Sequence, residues 1–291
     1  MSGASAHPRI SVVTPSYNQA PFLESCLRSV LGQRYPNLEY IVVDGGSTDG
    51  SVEIIKSCEK DLAYWVSEPD AGHYAAVNKG FRRSTGDILA WLNSDDMYTP
   101  WTLAIVSDVF RRMPEVQWLS TLYPLFWNEA DAATLCTQLS GFDRAAVLRH
   151  GKGVQQESTF WRRSLWERTG AALDTSFKLA GDLDLWARFW EHAELYGVAV
   201  PLGGIRRHGG QRHIRHFGEY RTEAAAIAGR YGVRMHRSPG PVRAKLRSLI
   251  ATAAPRRLGP VLYRAGLAYR GLVVAQRSRE GTWDVRTVYY P

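Results

Sequence analysis

Long apolar runs and regularly spaced cysteines are missing from this sequence of 291 residues. No stretch reaches the roughly 18 uninterrupted apolar residues that a membrane-spanning helix needs. The first ten residues, MSGASAHPRI, contain no apolar segment of the kind that directs secretion. Cys26, Cys58 and Cys136 lack the spacing of metal ligands, so we expect inert, reduced thiols. These absences predict a cytoplasmic protein that is neither secreted nor inserted into a membrane.

Acidic side chains are scarce in the last part of the chain. Residues 206–291 contain 18 Lys and Arg but only 4 Asp and Glu, a net charge of +14, whereas residues 1–205 have a net charge of −6. A basic segment of this kind favours anionic lipid head groups or nucleic acid as partners. We expect no nucleic-acid binding, because no recognised binding module accompanies the charge.

A stripe of apolar side chains accompanies this basic charge. It recurs at helical spacing beside arginines and a lysine, and its members are Val242, Leu246, Leu249 and Ile250. The composition predicts a basic amphipathic helical tail over residues 238–291, which would hold the protein on an anionic membrane surface at the cytoplasmic face. The alternative is a stripe that packs against the protein's own domain.

The rest of the sequence is apolar enough to form a full core, with 45% hydrophobic residues in the whole chain. Four short runs rich in β-branched and aromatic residues alternate with segments of helical spacing, at 9–15, 38–46, 62–68 and 87–93. The alternation predicts an α/β fold, with a mostly parallel central sheet and helices on both faces. Ligands of such folds bind beyond the carboxyl ends of the strands.

Polar side chains follow each of the four runs. They are Thr14, Ser16 and Asn18; Asp44, Ser47 and Asp49; Glu68 and Asp70; and Asn93, Asp95 and Asp96. Because the carboxyl ends of parallel strands meet at one edge of a sheet, we expect these groups to line one rim. The sequence has neither G-x-x-x-x-G-K-[ST] nor G-x-G-x-x-G, so a divalent cation is the expected partner of bound phosphates.

Asp95 and Asp96 are adjacent in WLNSDD, where their charges repel each other unless a cation binds. Mg²⁺ or Mn²⁺, held by a carboxylate together with diphosphate oxygens and water, would relieve the repulsion. The alternative is a helix that begins in SDDMYTPWTL, with acids near its N-terminus. Asp49 is expected to cap the next helix, whereas Asp44 is expected to accept hydrogen bonds from a base or ribose.

Four segments occur in order at the ends of the four runs: TPSYN, VDGGSTDG, SEPDAGHYAAVNKGF and GDILAWLNSDD. Together they resemble family 2 glycosyltransferases, which are inverting enzymes with a GT-A fold. The resemblance implies that Thr14 and Asp44 contact the nucleotide base, that Asp95 contacts the ribose, and that Asp96 binds a metal bridging the diphosphate. Further substrate contacts are implied for Pro15, Tyr17, Asn18, Gly45, Asp70, Asn78, Lys79, Asn93 and Ser94. An ordinary solvated lysine is the alternative for Lys79.

The second half of the chain is expected to hold the catalytic base. Residues 154–170 predict a strand followed by a helix, and residues 179–192 predict a helix that buries Leu183, Trp186, Ala187 and Trp190. The resemblance implies that Asp182 is the base, with helix capping as its alternative role and Glu157 as the alternative base. It also implies that His208 is a further ligand to metal or phosphate, although histidines in basic loops are more often surface residues.

The resemblance divides the chain into a nucleotide-sugar-binding half (1–115), an acceptor-binding half with the base (116–237) and the tail (238–291). It implies metal-dependent transfer of a sugar from a UDP- or GDP-linked donor to a glycan or lipid-linked acceptor, in polysaccharide or glycolipid assembly. One motif departs from the family, because Tyr74, Ala75 and Ala76 stand where an acid is common. This departure leaves open a noncatalytic nucleotide-binding scaffold of the same fold.

Overall fold

The computed structural model describes residues 7–136, 138–150, 153–211, 215–235, 258–264, 268–276 and 282–290. Within these ranges the strands are β1 (Ile10–Ser16), β2 (Leu38–Asp44), β3 (Tyr64–Ser67), β4 (Ile88–Trp91), β5 (Met97–Tyr98), β6 (Trp118–Thr121), β7 (Leu125–Trp127), β8 (Ala133–Cys136), β9 (Thr159–Arg162), β10 (Leu195–Val198), β11 (Gly203–Arg206), β12 (Tyr269–Gln276) and β13 (Trp283–Tyr290). The helices are α1 (Ala20–Leu31), α2 (Ser51–Ser57), α3 (His73–Arg83), α4 (Thr102–Arg112), α5 (Arg144–His150), α6 (Arg163–Arg168), α7 (Gly181–Phe189), α8 (Phe217–Arg230) and α9 (Gly259–Arg264).

Nine strands form the central sheet, in the order β13-β12-β10-β6-β9-β4-β1-β2-β3, and β5-β11-β7-β8 form a smaller sheet. The four strands predicted in the first hundred residues are confirmed and pair in parallel as β4-β1-β2-β3. The chain leaves β1 for β2 on one side and later returns to β4 on the other. Ligands of open α/β sheets bind beyond the carboxyl ends of strands at such a switch point.

The central sheet joins the two predicted halves of the chain. β9 comes from the second half and runs antiparallel to both β4 and β6, whereas β10 is parallel to β6. The predicted strand followed by a helix within 154–170 is confirmed by β9 and α6. Strands from both halves therefore share one sheet and place their loops around the same rim.

Apolar side chains cover both faces of the central sheet. On one face, the predicted buried positions of α7 are confirmed, with exposures between 0% and 8% for Leu183, Trp186, Ala187 and Trp190. The indole of Trp186 stacks between those of Trp91 and Trp118, at centroid distances of 5.8 Å and 5.6 Å. This aromatic packing fixes α7 against the strands that end at the rim.

The prediction of a helical tail is wrong for residues 269–276 and 283–290. β12 pairs with β10 in parallel and β13 pairs with β12, so both strands extend the central sheet. Val274 is completely buried, and the Trp283 Nε1 donates a hydrogen bond to Asp108 Oδ2 at 2.7 Å. The segments YRGLVVAQ and WDVRTVYY are rich in β-branched and aromatic residues, which favour strands once a neighbouring edge is present. The apolar stripe at 242–250 lies outside the described residues.

Among the described residues, no helix combines the length and apolar character needed to cross a bilayer.

Candidate functional site

The loops after β1 and β2 are joined by hydrogen bonds at the rim of the sheet. Asn18 has a positive φ of 51°, and its side-chain oxygen accepts from the Thr48 N–H at 3.0 Å. Its own N–H donates to the Ser47 hydroxyl at 2.8 Å. Pro15 is buried in β1, whereas the ring of Tyr17 stands 63% exposed above the rim. An exposed ring at this point is free to contact a bound ligand.

Asp44 is completely buried at the end of β2. Its carboxylate accepts four hydrogen bonds, from the N–H groups of Gly46 at 3.1 Å and Ser47 at 2.8 Å, and from the hydroxyls of Ser47 at 2.6 Å and Ser67 at 2.7 Å. These contacts hold the loop after β2 against the end of β3. Asp44 therefore shapes the rim, and its contact with a nucleotide base stays a prediction.

Gly45 allows the ends of three strands to approach closely. A Cβ at this position would lie 3.1 Å from Oδ2 of Asp70 and 3.3 Å from the ring of Tyr17. Nearby in β1, the buried Thr14 hydroxyl lies 2.9 Å from the Tyr40 hydroxyl. The structure thus brings the predicted residues of the first three strand ends to one edge.

The adjacent acids after β4 have different surroundings. Asp96 is 3% exposed, and its two oxygens accept hydrogen bonds from the Arg206 N–H at 3.0 Å and from Asn93 Nδ2 at 3.1 Å. Asp95 keeps 22% of its side chain exposed, and its Oδ2 lies 3.0 Å from Nε2 of His208. The structure therefore places His208 in direct contact with Asp95 at the rim, and His208 is only 7% exposed.

Arg206 is a site residue that the sequence reasoning missed. It is completely buried at the end of β11, and its Nε donates to the carbonyl oxygen of Asp95 at 2.9 Å. Its Nη1 donates to the Asn128 carbonyl at 2.9 Å and forms an ion pair with Asp131. The following residue, Arg207, is exposed, so nothing in the sequence IRRH marks which of the two arginines supports the acids.

Two carboxylates of the second half approach the same rim. Glu157 lies in a short 3₁₀ turn, Gln156–Ser158, just before β9, and is 1% exposed. Asp182 lies in the first turn of α7, where its Oδ1 accepts a hydrogen bond from the Leu183 N–H at 2.8 Å. The residue preceding α7 is Ala180, so Asp182 is not the capping residue.

Burial raises the pKa of these acids to different extents. The pKa of Asp96 lies well above its usual range because of burial and of the nearby charges of Asp95 and Glu157. Burial raises the pKa of Glu157 to about 8 and that of Asp182 to about 6. At neutral pH Glu157 therefore carries a proton, while most Asp182 carboxylates are ionised and can accept one.

The acid pair and His208 fit a divalent cation that is shared with a substrate. Within the described ranges no three His, Cys, Asp or Glu side chains converge as a complete metal cage. Asp95 and His208 nevertheless present an oxygen and a nitrogen 3.0 Å apart, and the described residues form no ion pair with the buried Asp96. Mg²⁺ and Mn²⁺ commonly take one or two protein carboxylates and complete their coordination with phosphate oxygens and water.

Several predicted residues already have partners within the protein. The Asn78 amide both donates to and accepts from the backbone of Leu173, at 2.9 Å and 2.8 Å, and its contact with substrate stays a prediction. Lys79 pairs with Glu68 at 2.7 Å. Asp49 accepts hydrogen bonds from the N–H groups of Ala20 and Ser51, at the starts of α1 and α2, although the N-cap residue of α2 is Gly50 rather than the predicted Asp49.

The remaining predicted residues lie beside these groups in the chain. Ser94 is buried next to the acid pair, and Asp70 accepts a hydrogen bond from the Gly72 N–H at 2.7 Å. The helix expected in SDDMYTPWTL begins only at Thr102. Helix capping therefore does not explain the acid pair.

Residues 11–124 match the sequence profile described as Glycosyl transferase family 2. The chain contains a glycosyl transferase family 2 domain. This domain extends from β1 past β6 and includes Thr14, Asp44 and the acid pair Asp95 and Asp96. Asp182, Glu157 and His208 lie beyond it in the chain, and the shared sheet brings their loops to its rim.

Relatives of the family 2 domain carry the name glycosyltransferase. An uncharacterized glycosyltransferase of Mycobacterium tuberculosis is 44% identical over 93 residues, which are 32% of this chain and 36% of that protein. TuaG of Bacillus subtilis, a putative teichuronic acid biosynthesis glycosyltransferase, is 39% identical over 94 residues, 31% of this chain and 37% of that protein. The chain thus spans about a third of the length of these curated relatives.

Solved structures share the fold over most of the chain. The mannosyltransferase PcManGT from Pyrobaculum calidifontis, in complex with GDP-Man and Mn²⁺, has a TM-score of 0.56 and 21% identity, over 90% of this chain and 80% of that one. TarS 1-349 of S. aureus, in complex with UDP-GlcNAc, has a TM-score of 0.59 and 14% identity, over 97% of this chain and 99% of that one. The predicted GT-A fold is confirmed.

Proposed function

We propose that this protein is a glycosyltransferase that moves a sugar from a nucleoside diphosphate donor to an acceptor hydroxyl, with inversion at the anomeric carbon. The observation that carries the proposal is the arrangement of acids around one rim of a family 2 domain. Asp95 and Asp96 follow β4, while Asp182, whose pKa is raised by burial to about 6, lies in the first turn of α7. The acid pair is placed to bind a metal ion together with a diphosphate. Asp182 is placed to accept the proton of an acceptor hydroxyl.

The donor would lie over the carboxyl ends of β1, β2 and β4. Thr14 and Asp44 would contact the base and Asp95 the ribose, with Tyr17 and Asn18 beside them at the rim. PcManGT holds GDP-Man and TarS holds UDP-GlcNAc in structures of the same fold. These complexes support a UDP- or GDP-linked sugar as the donor.

Asp96 and His208 would hold Mg²⁺ or Mn²⁺, with the partly exposed carboxylate of Asp95 beside them. When bound, the cation would offset the negative charge that develops on the departing nucleoside diphosphate. The burial of Asp96 beside Asp95 supports this assignment, because a bound cation would favour the charged form of a buried carboxylate and offset its repulsion with the neighbouring acid. Mn²⁺ in the PcManGT complex supports the same reading.

Asp182 would accept the proton of the acceptor hydroxyl as that oxygen attacks the anomeric carbon. A base must be ionised before it can accept a proton, and at neutral pH the lower pKa of Asp182 meets this condition better than that of Glu157. Attack opposite the leaving diphosphate inverts the anomeric configuration. The proton moves to Asp182, the glycosidic bond forms at the acceptor oxygen, and the bond to the diphosphate oxygen breaks.

Two observations support a proposal for the acceptor class, namely the name of one relative and the charge distribution of the chain. TuaG is named for teichuronic acid biosynthesis, which supports a glycan or lipid-linked acceptor in surface polysaccharide assembly. The net charge of +14 over residues 206–291 would hold the protein near anionic lipids at the cytoplasmic face of a membrane. Both features would bring the site to a lipid-linked substrate.

The test is release of nucleoside diphosphate from a panel of UDP- and GDP-linked sugars with Mn²⁺ present. Turnover of one of these donors, lost on chelation, is the expected result. Donor binding without any hydrolysis or transfer would instead identify a noncatalytic nucleotide-binding protein.

A further inference from the structure

The helix that carries Asp182 begins without a capping side chain of its own. Its N-cap residue is Ala180, which makes no capping hydrogen bond through its side chain. The first N–H groups of a helix have no partner within the helix and need acceptors elsewhere. For α7, these acceptors come from two other helices.

Glu223 of α8 supplies the first acceptor. Its Oε1 accepts from the Lys178 N–H at 2.9 Å, and its Oε2 accepts from the N–H groups of Leu179 at 2.9 Å and Ala180 at 2.8 Å. One carboxylate thus binds three consecutive N–H groups just before α7. The negative charge also lies at the positive end of the helix dipole, where it is stabilising.

Tyr74 of α3 supplies the second acceptor. Its buried hydroxyl accepts from the Gly181 N–H at 2.9 Å, next in the chain after the three groups bound by Glu223. A Cβ on residue 181 would lie 2.7 Å from the Tyr74 ring, so the glycine is what lets the tyrosine approach. Tyr74 also stands where the resemblance led us to expect an acid, and this contact gives the departure a physical explanation.

The four consecutive N–H groups immediately before Asp182 are therefore bound by two side chains, Glu223 and Tyr74, which lie far apart in the sequence. The Asp182 Oδ1 accepts from Leu183, while its Oδ2 has no hydrogen-bond partner within the described part of the chain. The titratable groups that face Asp182 are Tyr74 from α3, Glu157 from the turn before β9, and Tyr220 and Glu223 from α8.

We propose that Glu223 and Tyr74 are positioning residues, which together hold the start of α7 so that the free oxygen of Asp182 points to the acceptor. This inference rests on the proposed function, in which Asp182 is the base. Neither residue needs to touch substrate. A displacement of about 1 Å in a reacting group can cost about 10²-fold in rate, so the two anchors would act on turnover rather than on donor binding.

Glu223 has a second effect on Asp182 through its charge. Burial is the main cause of the raised pKa of Asp182, and the negative charge of Glu223 raises it further. Removing that charge should lower the pKa of Asp182. Because the base must be ionised to act, the acid limb of the turnover profile should then move to lower pH.

Glu223→Gln in the full chain tests the inference, with Glu219→Gln as its matched control. Glu219 lies one turn earlier on α8, is exposed and pairs with His216. We expect amide hydrogen exchange at residues 178–180 to rise roughly tenfold in Glu223→Gln, because the amide nitrogen that replaces one carboxylate oxygen cannot accept a hydrogen bond, and to stay unchanged in Glu219→Gln. The ¹³C titration of the Asp182 carboxyl, identified by its loss in Asp182→Asn, should show a lowered pKa without needing any substrate.

Turnover supplies the functional readout. With UDP-N-acetylglucosamine and GDP-mannose as probes, Glu223→Gln should lower kcat by roughly 10- to 100-fold and leave the donor KM nearly unchanged. Tyr74→Phe keeps the ring and removes the acceptor for Gly181, so kcat should fall without the shift in the acid limb that loss of a charge causes.

Three outcomes would overturn the inference. Exchange and titration in Glu223→Gln could match those of the unmodified chain. Exchange could rise equally throughout the protein, which would indicate only general destabilisation. The KM could rise with an unchanged kcat. If the exchange and titration change as expected but Asp182→Asn keeps full turnover, the proposed base is wrong, and the failure belongs to the proposed function.

Discussion

The imidazole Nε2 of His208 lies 3.0 Å from Oδ2 of Asp95, which ties the loop after β11 to the end of β4. This contact joins a residue outside the family 2 domain to one inside it, and it places His208 beside the acid pair, where it and Asp96 would hold a divalent cation.

The first prediction is that His208→Ala weakens Mn²⁺-dependent nucleotide binding. Losing a group at the metal site typically lowers metal affinity by about tenfold or more. Calorimetry with UDP and GDP should show the loss in the presence of Mn²⁺ and little change after chelation. His216→Ala is the control, because His216 is a half-exposed residue that pairs with Glu219. An equal loss in both variants would contradict a role for His208 at the metal.

A second prediction separates the roles of two buried acids. Asp96→Ala should remove the dependence of UDP or GDP affinity on the divalent ion, because the carboxylate expected to bind it is gone. Asp44→Ala should weaken nucleotide binding while keeping that dependence, since Asp44 organises the loop after β2. Titrations with and without chelator measure both. If chelation leaves the affinity of the unmodified protein unchanged, the metal assignment is wrong.

Gly181→Ala should destabilise the start of α7. The new Cβ would lie 2.7 Å from the buried ring of Tyr74, and overpacking of this kind typically costs about 1–3 kcal/mol. Urea unfolding measures the loss. Gly229→Ala on α8 is the control, because no atom lies within 4 Å of its added Cβ. A stability of Gly181→Ala equal to that of the control would show that Tyr74 moves aside at no cost.

Truncation after residue 237 should destabilise the protein. It removes β12 and β13, with the buried Val274 and the hydrogen bond from Trp283 to Asp108. Trp283→Phe alone should cost about 1 kcal/mol, the usual net value of one hydrogen bond. The urea midpoint measures both. A truncated chain with an unchanged midpoint would show that the two added strands contribute nothing to the fold.

The first half of the fold could be predicted because its signals are local. Each of β1 to β4 is a short apolar run that ends in polar residues, and TPSYN and WLNSDD lie directly at those ends. The C-terminal strands could not be predicted, because the pattern of LVVAQ beside arginines is compatible with an amphipathic helix as well as with a strand. The segment forms strand β12 because it pairs with β10, which lies more than 70 positions earlier in the chain.

The residues of the site also divide into those that local sequence patterns predict and those that they do not. The acids were found because strand ends and motifs mark them in the sequence. Arg206, Tyr74 and Glu223 were missed as supports because their partners are remote: the Tyr74 hydroxyl meets Gly181, 107 positions away, and the Arg206 N–H meets Asp96, 110 positions away. No sequence pattern of one segment reports such a contact. The relevant signal in the sequence was the departure at Tyr74, whose physical cause appears only in the folded chain.

The measurement that bears most directly on the proposed chemistry is the turnover of Asp182→Asn beside that of Glu157→Gln. Asparagine keeps the shape and the hydrogen bond from Leu183 but cannot accept a proton, so kcat should fall by roughly 10² to 10⁴, with donor affinity nearly unchanged. In the unmodified protein, kcat should rise with pH through about 6, as Asp182 loses its proton and becomes able to act. Near-normal turnover in Asp182→Asn, with Glu157→Gln inactive, would contradict the account and assign the base to Glu157.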